Sequence, residues 1–109
     1  MQFKDGPVVE ISSRDYWFKV VDMLQQNWAL IDAVQAGRAT VFFVDDRSGV
    51  FDRMLFETAE DAAQALTRNG FRRFAGDPEA KEIMAPPQAP FVQTVHPNGP
   101  VYSSGRYWS

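Results

Sequence analysis

At 109 residues the chain has room for one domain around one core, and its 45% hydrophobic and 23% charged residues are ordinary globular usage. The absence of cysteine excludes a disulfide framework, thiolate catalysis and cysteine-based zinc or iron–sulfur sites. A formal charge of −3 lacks the basic surplus with which dedicated nucleic-acid binders neutralise phosphate. Met1 to Gly6 carries no apolar stretch of signal-peptide length, and no run approaches the roughly 18 apolar residues of a membrane span, so a cytoplasmic protein without membrane contact is expected.

The first β-rich run is Pro7 to Ile11, read as a strand. Ser12, three residues before Asp15, matches a helix start. Apolar residues then recur at Trp17, Val20, Val21, Leu24, Trp28, Ile31 and Val34 with helical spacing, and Gly37 sits where a left-handed cap belongs. The stripe predicts one long helix or two shorter ones. Trp28 to Val34 also fits a strand, but Ala29, Ala33 and Ala36 favour helix because alanine is a poor strand former. Ala39 to Val44 and Val50 to Phe56, joined through the turn-formers Asp45 to Gly49, predict an antiparallel hairpin. Thr58 opens a second helix through Leu66, which Asn69 and Gly70 close, and Phe71 to Phe74 reads as a short edge strand. The order strand, helix, strand, strand, helix, strand is the split βαβ arrangement of ferredoxin-like α+β folds, with both helices on one face of an antiparallel sheet.

Residues 1–76 are thus expected to form the α+β core domain, and residues 77–109 a C-terminal arm packing on that core or on a partner subunit. Asp77 to Met84 predicts a helical turn or two with Pro78 in the first turn. Ala85 to Pro90 is an extended proline-rich connector, Phe91 to Val95 an edge strand, and His96 to Pro100 a turn.

The stretch Gly49 to Gly70, about a fifth of the chain, resembles the third strand and second helix of RNA-recognition-motif domains through Phe51, Arg53, Met54, Phe56, Glu60, Ala62, Ala63, Leu66, Asn69 and Gly70. In that family, two aromatics on the third strand and one on the first stack on bases. By this resemblance Phe51 matches one stacking position, Arg53 occupies the other, and Val9 stands at the first-strand position. Gly49 and Val50 replace the basic–glycine–aromatic start of the strand. Arg68, Arg72 and Arg73, interleaved with Phe71 and Phe74, form the densest basic cluster, but a period of two turns Arg72 and Arg73 to opposite faces. Phe51, Arg53, Arg68, Arg72 and Arg73 are therefore the candidate nucleic-acid contacts.

Asp45, Asp46 and Asp52 lie at the hairpin without the spacing of a calcium loop, and turn aspartates commonly bond their own backbone. His96, the one histidine, has no nucleophile-elbow or triad pattern around it, so no catalytic residue, metal or cofactor is assigned. A pocket near His96, Tyr102 and Asp52 would serve a small-molecule binder or small enzyme. Tyr16, Trp17 and Phe18 are consecutive and cannot all face one core from a helix. Together with the aromatic arm, they predict a non-catalytic binding module for protein partners or a homodimer, with Tyr16, Phe18, Phe91, Tyr102, Tyr107 and Trp108 as the candidate interface.

Overall fold

The computed structural model describes residues 6–22, 25–33, 37–95, 101–105 and 107–109. The expectations at Leu24, Val34, Ala36 and His96 to Pro100 lie outside the described residues. Among the described residues the chain is an α+β fold on a seven-stranded, mostly antiparallel sheet. Its strands are β1 (Val8–Val9), β2 (Tyr16–Asp22), β3 (Gln25–Ala33), β4 (Ala39–Val44), β5 (Gly49–Phe56), β6 (Arg72–Arg73) and β7 (Phe91–Gln93). Helix α1 (Ala59–Arg68) follows β5, and α2 (Pro78–Ile83) follows β6 and a single 3-10 turn. The spatial order is β1-β7-β5-β4-β3-β2-β6.

The first expected helix is instead the β2–β3 hairpin, with Trp17 opposite Ala29 and Phe18 opposite Trp28. The strand count therefore exceeds that of the split βαβ arrangement. The reason is burial on both sides. A strand covered on one face alternates polar and apolar residues, whereas one covered on both does not. Tyr16 and Phe18 enter one core with Trp28, Leu30 and Phe91, while Trp17 enters the other with Ala29, Phe43 and Leu66. Ala29, which read as a helix former, is a spacer. Ala29 and Ala39 lie in the core beside Ala62 and Leu66 of α1, so small residues on both sides let the helix sit close to the sheet.

The Ser12 helix start and the Gly37 helix cap fall with that first helix, whereas the readings of the β4–β5 hairpin and of the two later helices match the structure. Strands β4 and β5 pair antiparallel, from Ala39 opposite Phe56 to Val44 opposite Val50. Thr58 caps α1 by accepting from the Asp61 N–H, and Gly70 follows the helix at a φ of 91°. Asp77 caps α2 in the same way through the Ala80 N–H, with Pro78 in the first turn.

Strand β7 differs from expectation. It is not at an edge but lies between β1 and β5, antiparallel to the first and parallel to the second. One face of the sheet is covered by α1 and by Val101 and Tyr102, the other by Ile11, Ala80 and Met84. Residues 77–109 thus contribute a strand to the sheet and side chains to both cores.

Candidate functional site

Of the candidate interface residues, Tyr16, Phe18, Phe91 and Tyr102 are buried inside their own chain, which corrects their assignment to a surface. The Tyr16 hydroxyl donates to the Pro87 carbonyl at 2.6 Å, and burial raises the phenol's pKa against the opposing effect of Arg14. Phe18 packs on Trp28 and Phe74. Phe91 belongs to the same core, with the Arg14 guanidinium 5.1 Å above its ring. Tyr102 stacks 4.6 Å from Phe43, and Trp108 packs edge-on against both. Tyr107 remains exposed.

The five candidate nucleic-acid contacts do not converge. Phe51 is buried beneath Tyr102, so no base can stack on it. Arg53 lies over the Phe42 ring and donates to Gln93 at 2.6 Å. Arg68 donates to the Ser109 carbonyl, Arg72 pairs with Asp77, and Arg73 grips Asp15 with two nitrogens. Because both faces of the sheet carry packed elements, the RNA-binding platform implied by the resemblance has no open face here.

Asp52 and Tyr102 do meet, in a structural bond. Val44 pairs with Val50 and Phe43 with Asp52, leaving Phe51 as an extra residue. This bulge aims Asp52, only 8% exposed, at the backbone of the C-terminal segment. Its carboxylate accepts from the N–H groups of Tyr102 and Ser103 at 2.7 and 2.8 Å. Burial works to raise its pKa, but hydrogen bonds from Ser103, Arg53 and Tyr102 prevail and hold it below the ordinary carboxylate value. Burial raises the Tyr102 phenol, partly offset by the hydrogen bond from Asn27. Asp45 accepts from the N–H groups of Arg47 and Gly49, and Asp46 from the Trp28 indole. Each of these carboxylates is thus engaged by N–H donors of the chain itself, Asp45 within its turn, Asp46 across to β3 and Asp52 to the C-terminal segment.

The features left for a partner lie at the margins of the sheet. One margin is closed by β6, which pairs with Trp17 and Phe18. Beyond it, β2 carries Lys19 and a bulge at Val21, both of which discourage strand addition. The other margin is β1. Val92 and Thr94 donate to the carbonyls of Ser48 and Val50, whereas Gln93 donates to Pro7. Odd-numbered residues of β7 therefore bond toward β1 and even-numbered ones toward β5. Val9, opposite Phe91, is then the bonded residue of β1, and Val8 turns its N–H and C=O outward. Gly6 donates to the Gln93 carbonyl, supplying inward the donor that Pro7 lacks, so the proline leaves the outer margin intact.

Val8 is 58% exposed and Val95 84% exposed. A groove of about 350 Å³ lined by Val8, Val9, Ile11, Arg14, Pro90 and Phe91 lies on one side of this margin. Another of about 440 Å³, lined by Gly6, Gln93, Thr94 and Val95, lies at its other end. The sequence marked Pro7 to Ile11 as a strand, but only the insertion of β7 makes it the outermost one. Comparison with protein-family models, curated proteins and solved structures finds no match.

Proposed function

We propose that this chain is a non-catalytic protein-binding module that takes an extended polypeptide strand along the open margin of β1. The observation that supports the reading is the outward N–H and C=O of Val8 between two grooves. Strand addition draws affinity from main-chain hydrogen bonds and specificity from pockets that receive alternate side chains, and this margin has both parts. Arg14 and Glu10 beside the first groove supply polar contacts for such a strand.

Selecting binders from a displayed library of extended peptides tests the proposal. The selected peptides should lose at least about tenfold in affinity to Val8→Pro, since one main-chain hydrogen bond contributes about 1 kcal/mol and proline also blocks close approach. The variant deletes only an outward N–H, so its melting temperature should stay within a few degrees of the parent. Peptides that bind Val8→Pro as tightly as the parent chain would place the binding surface elsewhere.

A further inference from the structure

Resting on that reading of the β1 margin, we infer that the strand it accepts is β1 of a second copy of this chain, added antiparallel about a two-fold axis beside Val8. An isologous contact requires a surface that complements itself, and this one does. Outward N–H and C=O groups belong to the same residue, Val8, so two copies exchange a reciprocal pair of hydrogen bonds, Val8 to Val8.

That register sets Val9 opposite the partner's Pro7 and Glu10 opposite the partner's Gly6. On one face Val92 and Val8 already stand side by side, so pairing extends them into a continuous row of four valines across the axis. On the other face, Val9 beside Phe91 meets Pro7. Both rows are apolar, and cross-strand apolar pairs are the unit that stabilises a sheet.

The charges are also compatible. Glu10, the one charged residue among positions 6–10, faces a glycine with no side chain. The two glutamates are four residues apart along the paired strands, about 14 Å at ~3.4 Å per residue. That exceeds the screening length of about 8 Å at physiological salt. No lysine or arginine lies on positions 7–9; Pro7 and the shortness of β1 are the protective devices present, and they limit the pairing to Val8 itself, since the donor that Pro7 lacks belongs to the inner side.

The contact is short, so the dimer should be weak and concentration-dependent. Sedimentation equilibrium up to about 0.5 mM protein should show a monomer–dimer transition for the parent chain and only monomer for Val8→Pro. The chain has no cysteine, so Val8→Cys introduces a single thiol. Bonded antiparallel partners have Cα atoms about 5.5 Å apart, within disulfide range, so mild oxidation should link Val8→Cys to itself. Leu55→Cys, 63% exposed on β5, should not form that link beyond the level of random collision. A parent chain that is monomeric throughout, with Val8→Cys linking no faster than Leu55→Cys, overturns self-pairing while the peptide selection still decides strand addition. A parent dimer that survives Val8→Pro overturns it too, because the dimer then uses another surface.

Discussion

Asp52 sits almost out of water yet carries a charge, because its position is fixed by a bulge and its charge is met by N–H donors from a segment some 50 residues later. Replacing it with alanine leaves Tyr102 N–H, a buried donor, without its acceptor, and each orphaned donor costs about 1–3 kcal/mol. Asp52→Ala should therefore lose on the order of 3 kcal/mol in urea unfolding at pH 7. The folded carboxyl titrates below its unfolded counterpart, whose pKa is about 3.9. Its contribution is complete above that value and disappears as pH falls through the lower, folded one. Asp52→Asn, which keeps an acceptor but no titration, should lose less stability than the parent between pH 7 and pH 3. Parallel losses in the two proteins would show that Asp52 does not shape the acid limb. The sequence placed Asp52 at the hairpin and beside Tyr102 but as part of a pocket, because the bulge and the backbone donors that give it a structural role are both non-local.

Local signals were legible where one element carries its own instructions. Thr58 and Asp61 announce α1, and the turn-formers between two β-rich runs announce the β4–β5 hairpin. The β2–β3 hairpin was not legible, because two-sided burial erases alternation around Tyr16–Phe18 and Trp28–Leu30, and the exposed Val20 and Val21 beside the bulge complete a helical period by chance. The three consecutive aromatics Tyr16, Trp17 and Phe18 held the correct clue. Such a run fits a strand buried on both faces better than a helix facing one core. The β4–β5 hairpin contains a tight joint. A Cβ on Gly49 would lie 2.8 Å from both the Asp45 carboxylate and the Thr94 methyl, which hold the turn and the strand beside it. Gly49→Ala must displace one of them. Overpacking of this kind costs about 1–3 kcal/mol, so the urea midpoint should fall accordingly. An unchanged midpoint would mean that turn and β7 yield freely.

At the scale of the whole molecule, sequence order conceals what the sheet brings together. Residues from Phe91 onward were expected to cover apolar surface, and their aromatic content is what made that legible. That β7 would enter the sheet between β1 and β5, and so make Val8 the margin, follows from pairing across about 40 to 80 residues and leaves no local trace. The same topology predicts the outcome of ending the chain at Gly76. Strand β1 would lose its partner, and Phe18, Trp28 and Val50 would lose Phe91, Ala80 and Met84. Phe43 and Phe71 would lose Tyr102, and Asp52 its donors from Tyr102 and Ser103. Burying one aromatic side chain contributes about 1.5–3 kcal/mol. Phe91 and Tyr102 together then amount to roughly 3–6 kcal/mol against a typical net stability of 5–15 kcal/mol, before the severed sheet hydrogen bonds are counted. Residues 1–76 alone should show no cooperative thermal transition and no fixed near-ultraviolet signal from Trp17 and Trp28. A synthetic peptide of residues 77–109 added to that fragment should restore the signal, which separates a missing part from a chain damaged in preparation. A fragment that melts at the temperature of the full chain would mean that β7 and Tyr102 are ornaments on a sheet already complete without them, and that the β1 margin owes nothing to the strand beside it.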